Sequence, residues 1–298
     1  MVKNLQKFEV IEGSDMQKTL KNYADIRNQK IYYEISGKSD GDWLVLIHGV
    51  SGSTRCWKNQ MGDFNEHFRV LNVDLIGHGN SSALNDYQKY NGSIMANYLR
   101  LLMDELGIEK AHICGLSLGT IIQQYFCELF PERIISCIFA SPICKTNYLT
   151  KFVNSFADRI FLKIFSTNTY LKMMGYMMLP GKAHEKSRKF FLNETLKISG
   201  TEFRKWWKVV VQGDHYAFLG KYDIPSLIVV GKQDFCFYDD SLELKEKFAN
   251  SEFKVIKNAG HVFIFQKAKE FNQMVIDYVD SLNATSVVET KERDTFAA

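Results

Sequence analysis

Three residues far apart in the chain have the types needed for nucleophilic acyl chemistry: Ser117, Asp234 and His261. A serine hydroxyl alone is too weak to attack a carbonyl. It needs an imidazole to take its proton and a carboxylate to fix the imidazole tautomer and stabilise the cation. Ser117 stands in Gly115-Leu116-Ser117-Leu118-Gly119, a G-x-S-x-G pattern directly after a short apolar run and directly before a helical one. Such a serine sits on a sharp strand-to-helix turn with its hydroxyl exposed. Glycines two positions either side let the two backbones approach without a Cβ collision. The amide of Leu118, opening the new helix, points to where an oxyanion would form.

The elements that must hold these groups read as alternating strands and helices. Lys30–Ser36 alternates in polarity, and Trp43–Ile47 is all apolar, as a strand covered on both faces requires. Arg69–Leu75, Ala111–Cys114, Ile134–Ala140, Ser226–Gly231 and Phe253–Ile256 continue the strand series. Asn91–Leu106, Ile121–Phe130, Ser241–Ala249 and Val262–Leu282 have helical periodicity, the second stopped near Pro131. Met1–Asn28 is polar, with an amphipathic stretch at Met16–Ala24 expected at a sheet edge, and the tail Asn283–Ala298 is expected to fray. The pattern predicts an α/β fold: a mostly parallel central sheet with helices on both faces. Functional groups gather at the carboxyl ends of strands in such sheets. Asp234 follows Ser226–Gly231 by three residues, and His261 follows the last short strand through Lys257-Asn258-Ala259-Gly260.

From Cys144 to Tyr222 the strand signal stops and a Met-, aromatic- and lysine-rich helical stretch replaces it. We read residues 144–222 as an inserted cap, with 1–143 and 223–298 as the core. Between Cys144 and Lys221 fourteen Lys and Arg stand against five acids, although the whole chain of 298 residues carries only +3. A solvated face is the plain reading of that charge; an anionic substrate or a lipid surface is the sharper one. The aromatic and Met side chains, among them Phe152, Phe156, Phe161, Phe165, Met178 and Phe191, pack the cap and offer walls for an apolar acyl pocket.

With 46% apolar residues the chain can bury a substantial core. The start lacks the apolar centre of a secretory signal, and no segment approaches a charge-free span of about 18 residues. The six cysteines form no C-x-x-C pair, and free thiols in a reducing cytoplasm are expected. No spacing of His, Cys, Asp or Glu suggests a metal, no glycine pattern suggests a phosphate loop, and neither cofactor nor nucleic-acid partner is expected.

The chain order Ser, Asp, His, together with His48-Gly49-Val50, the stretch DLIGHGNS from Asp74 to Ser81, Gly115–Gly119, Ile224-Pro225 and Gly260-His261, resembles the α/β-hydrolase superfamily, in its serine-dependent, capped, esterase- and lipase-like branch. The resemblance spans about Lys30 to Leu282. It implies an oxyanion hole made by the backbone of Val50 and Leu118, and substrate contact at Trp57 and Ser51. The stretch Phe235–Tyr238, and Gln266 and Ala268 after the histidine, depart from the family pattern without touching the chemistry. For Asp234, the rival acids near strand ends are Asp74, Asp223, Asp239 and Asp240. His48 and His78 read as turn-ordering residues bonded to backbone, His112 as a core residue, and His215 as structural. The expected activity is hydrolysis of a small-molecule carboxylic ester with an apolar acyl group. Carbon–carbon, thioester, lactone or amide cleavage, acyl transfer, hydroxynitrile lysis, or ligand capture without turnover are the alternatives.

Overall fold

The computed structural model describes residues 9–10, 19–84, 90–144, 166–212 and 219–296. The strands are β1 (Glu9–Val10), β2 (Leu20–Ile26), β3 (Gln29–Gly37), β4 (Trp43–Ile47), β5 (Arg69–Val73), β6 (Ala111–Leu116), β7 (Ile134–Ala140), β8 (Ser226–Gly231) and β9 (Ser251–Ile256). They form one sheet in the order β1-β2-β3-β5-β4-β6-β7-β8-β9. From β5 across to β9 every pairing is parallel, while β1, β2 and β3 form an antiparallel margin.

The apolar strand runs divide their side chains between two buried layers, as the period of two requires. In β4, Val45 and Ile47 enter one cluster while Leu44 and Leu46 enter the other. Helices α1 (Met61–His67), α8 (Phe263–Gln266) and α9 (Ala268–Phe296) cover the second cluster through Phe64, Phe263, Phe271 and Val275. Helices α2 (Gly92–Glu105) and α3 (Leu118–Leu129) cover the first through Leu99, Leu102, Ile122 and Phe126. Asn91 caps α2 by accepting the Ile94 N–H at 2.8 Å. Between β7 and β8 lie α4 (Thr167–Met178), α5 (Glu185–Thr195) and α6 (Gly200–Gln212); α7 (Tyr238–Lys245) follows β8. Leu171, Phe191, Phe203 and Trp206 join α4–α6 to the first cluster. Among the described residues, no helix is long and apolar enough to cross a membrane. All six cysteines carry free thiols.

Three elements differ from the sequence expectation. Of the amphipathic stretch at Met16–Ala24, the residues from Leu20 onward form strand β2, which pairs with β3 along its whole length from Leu20↔Ile35 to Ile26↔Gln29. The helix expected at Ser241–Ala249 starts earlier, at Tyr238, with Asp239 and Asp240 in its first turn, where the helix dipole favours them. The closing helix does not fray after Leu282 but continues to Phe296. That segment holds no Gly or Pro to stop it, and its Ala, Glu, Lys and Arg are good helix formers. His215, Phe152, Phe156, Phe161 and Phe165 lie outside the described residues.

Backbones approach closely at the carboxyl ends of β4 and β6. A Cβ built on Gly119 would lie 2.2 Å from the backbone oxygen of Ile47, and one on Gly115 would lie 2.7 Å from the carbonyl carbon of Gly119. The two glycines therefore let α3 lie directly against β4 and β6. Gly119→Ala is expected to force that backbone apart at a cost of about 3 kcal/mol, seen as a thermal midpoint several degrees lower by circular dichroism. An unchanged midpoint would mean the contact is slack.

Candidate active site

Ser117 links β6 to α3 with φ 52° and ψ −115°, a region that a residue bearing a Cβ enters only under constraint. The constraint is visible. Its N–H donates to Ala140 O at 3.0 Å, and its carbonyl accepts from the Thr120 amide at 2.8 Å and the Thr120 hydroxyl at 2.6 Å. The hydroxyl is thereby turned toward His261, donating to Nε2 at 2.8 Å. On the other side of the ring, Nδ1–H donates to Asp234 Oδ2 at 2.7 Å. This tautomer follows from the hydrogen bonds, since a carboxylate can only accept. All three side chains are buried.

Two loops bring Asp234 and His261 together. After β8, the amides of Lys232 and Gln233 donate to Ile256 O and Ala259 O at 2.9 and 2.8 Å, tying the acid's loop to the histidine's. Ser141, itself at φ 47°, donates its hydroxyl to the carbonyl of His261 at 2.6 Å. The Phe237 ring lies 4.9 Å from the imidazole. Of the rival acids, Asp74 accepts instead from the amides of Thr54 (2.6 Å) and Asn80 (2.7 Å). Asp240 accepts from the Cys144 amide at 3.3 Å.

The loop after β4 carries the second oxyanion candidate. The amides of Val50 and Leu118 meet no acceptor among the described residues. For Leu118 this is the ordinary state of a first helical turn. His48 and His78 hold the loop in place. His48 Nδ1–H donates to Gly49 O at 2.7 Å while Nε2 accepts from the Leu75 amide at 3.0 Å. His78 Nε2 accepts from the Ser51 amide at 3.0 Å. The two rings meet edge to face at 4.9 Å. Both must be neutral to accept these bonds. Burial pushes His48 down to about 4 and holds His78 well below its usual range. Burial likewise raises the carboxyl of Asp74. His112 is a core residue against Ser136 Oγ at 2.7 Å, lowered by burial to about 4.

A cleft of about 420 Å³, counting its space open to solvent, borders Ser117 and His261 and is walled mainly by apolar groups of Val50, Leu116, Met178, Phe191, Val262 and Phe265. Met178 and Phe191 were foreseeable from the aromatic and Met content of the cap. Cys56, Glu194 and Thr195, also in the wall, carried no signal in the sequence. Trp57, expected to touch substrate, does not line this cavity: it is fully buried among Phe64, Leu44 and Leu46. The 3₁₀ turn Thr54–Trp57 buries Cys56 and Trp57 in the same cluster, and only Cys56 also lines the cavity. Ser51 lines a second, adjoining cavity instead. Among the described residues, no group of three His, Cys, Asp or Glu could hold a metal ion.

A doubly covered, mostly parallel sheet with a buried serine at φ 52° on the turn after its central strand defines a hydrolase-type α/β protein. The family model described as alpha/beta hydrolase fold matches residues 42–172. The chain is 28% identical to an uncharacterised carboxylesterase of Bacillus subtilis (strain 168), covering 87% of this chain and 86% of that one. It is 24% identical to a proline iminopeptidase of Lactobacillus acidophilus over 92% of this chain and 99% of the relative. The solved structure of an esterase from Exiguobacterium antarcticum superposes with a TM-score of 0.77 at 20% identity, covering 87% of this chain and 99% of that one. The chain has the alpha/beta hydrolase fold.

The buried neutral histidines set a pH dependence of stability. Their native pKa lies below the unfolded value of about 6.5, so their contribution is full above that value and is lost as pH falls toward 4. The urea midpoint is expected to fall from pH 6.5 to 4, because the protons taken up on unfolding by His48, His78 and His112 outnumber the one released by Asp74, whose carboxyl burial raises. A flat profile across this window would contradict the assignment.

Proposed function

We propose that the protein is a serine hydrolase that cleaves a carboxylic ester through an acyl-enzyme intermediate. The observation that carries this reading is the continuous hydrogen-bonded line from Ser117 Oγ through His261 to Asp234, at 2.8 and 2.7 Å. Ser117 Oγ attacks the carbonyl carbon as His261 Nε2 takes its proton. Asp234 accepts the Nδ1–H bond throughout and stabilises the imidazolium. The oxyanion is met by the amides of Val50 and Leu118, which need no rearrangement to donate and contribute several kcal/mol each. The imidazolium then protonates the departing alkoxide. In the second half, His261 deprotonates water, the water attacks the acyl carbon, and the proton returns to Ser117 as the acid leaves.

In this reading helices α4–α6 belong to a cap, residues 144–222, closed over the core formed by 1–143 and 223–298. The apolar wall of the inner cavity suits an acyl chain of modest length. The carboxylesterase and esterase relatives support the ester reading.

Ser117→Ala is expected to lower kcat/KM for p-nitrophenyl acetate by about 10⁴-fold or more with an unchanged circular dichroism spectrum. Labelling by a fluorophosphonate should disappear with it. Asp234→Asn should lose about 10³–10⁴-fold. Short acyl esters should outrun palmitoyl esters and anilides in the same assay. Turnover retained by the alanine variant would refute the serine mechanism.

A further inference from the structure

A buried imidazole that the reaction does not use reaches both loops that do. His184 ends the 3₁₀ turn Lys182–His184 between α4 and α5 and is 4% exposed. Its Nδ1 lies 2.6 Å from Gln266 Oε1, and its Nε2 lies 3.1 Å from the side-chain amide of Gln233. Gln233 stands next to Asp234, and Gln266 ends α8, the short helix that follows His261. One side chain from the region between β7 and β8 thus bridges the loop of the acid and the segment of the base.

The protons of this bridge follow from its partners. Gln266 Nε2 donates to Asn258 O at 3.1 Å, and a carbonyl can only accept, so Oε1 is the atom turned to His184. Nδ1 therefore carries a hydrogen and donates it. Nε2 is served by Gln233, whose exposed amide can donate to a neutral ring or accept from a charged one. The Gln233 N–H also donates to Ala259 O at 2.8 Å. The contacts thereby close a ring, from Gln233 to Ala259 and Asn258, on to Gln266, to His184 and back to Gln233.

Asp234 needs such support. Among the described residues its carboxylate has one hydrogen-bond donor, the His261 Nδ1–H at 2.7 Å. No backbone amide holds it in place as two amides hold Asp74. Its aim is therefore set by the loop that carries it, and the neighbouring Gln233 side chain is bonded only to His184 among the described residues. Packing presses on the same place. A Cβ built on Gly260 would lie 2.4 Å from Met178 O at the end of α4, and the rings of Phe190 and Phe265 meet at 4.9 Å.

Resting on the ester-hydrolase reading above, we infer that His184 is a positioning residue for the reaction: it clasps the loop of Asp234 to the segment after His261 and so keeps carboxylate and imidazole aligned. The clasp acts on the chemical step, through the geometry of that pair, and leaves substrate affinity alone. A misplacement of about 1 Å can cost about a hundredfold in rate, so a loop loosened by part of that distance is expected to cost about tenfold.

The test uses the full chain with p-nitrophenyl acetate and ethyl acetate, rates being expressed per fluorophosphonate-titrated site so that unfolded protein does not count. His184→Ala is expected to lower kcat about tenfold while KM stays within about twofold. The loss should be greater for ethyl acetate, whose alkoxide must be protonated by the imidazolium, than for p-nitrophenyl acetate, whose phenolate leaves unaided. His184→Gln, whose amide can bond Gln233 in either orientation, should recover most of it. Gln233→Ala removes an exposed side chain and spares the core. It should lower kcat severalfold by itself and add little to His184→Ala, because both cut one link. A readout without substrate is the downfield proton resonance of the His261 Nδ1–H, which should shift or broaden in both alanine variants at an unchanged circular dichroism spectrum. A raised KM at unchanged kcat, equal losses for the two esters, no recovery with glutamine, or an unmoved resonance would overturn the inference while leaving the hydrolase reading intact. Absence of all turnover and of fluorophosphonate labelling in the unmodified protein would instead remove the reading beneath it.

Discussion

The site depends on one residue being held where it would not rest by itself. At φ 52° and ψ −115°, Ser117 occupies backbone space that costs a side-chain-bearing residue about 1–3 kcal/mol. It persists because its neighbours leave no alternative: its amide is bonded to β7, its carbonyl is bonded twice to Thr120, and α3 is pressed onto the end of β4. The same strain aims Oγ at the imidazole. Fold and chemistry are thus one packing problem, solved by two glycines and a threonine around a serine.

Burial decides the electrostatics of everything around it. His48, His78 and His112 are enclosed so completely that they stay neutral, which frees their nitrogens to accept from backbone amides or bond a hydroxyl. Asp74 resists protonation loss in the same surroundings but is met by two amide donors. The loop bearing Val50 is therefore fixed by neutral rings above the turn at 74–81 and by a carboxylate beneath it. Glu194, which lines both cavities, is paired with Arg55 and Lys197.

Strands β4, β7 and β8 could be read end to end, because a strand buried on both faces leaves an unbroken apolar run. Strand β2 could not. Leu20–Ile26 buries only Ala24 and Ile26 on one side and is defined by its pairing with β3, which sequence periodicity does not record. The candidate groups Ser117, Asp234 and His261 could be picked out because each follows a strand, and the fold brings their side chains within hydrogen-bonding distance. The lining was not. Cys56 and Trp57 are adjacent and share one buried cluster, yet only Cys56 also reaches the cavity wall, a difference set within a single short turn. Glu194 read as one more surface charge of the cap, but it is 6% exposed and sits where two cavities meet.

Helix α6 is fastened to the core by a different route from its neighbours. The Trp206 indole N–H donates to Ile76 O at 2.8 Å while the ring packs 5.3 Å from His78, and Tyr90 donates its hydroxyl to Glu202. On α4, by contrast, Met173 and Tyr176 project into solvent. Through the indole and the His78 ring, helix α6 is joined to the bond that His78 accepts from the Ser51 amide, one residue from Val50, so this helix and the loop after β4 form one packed unit.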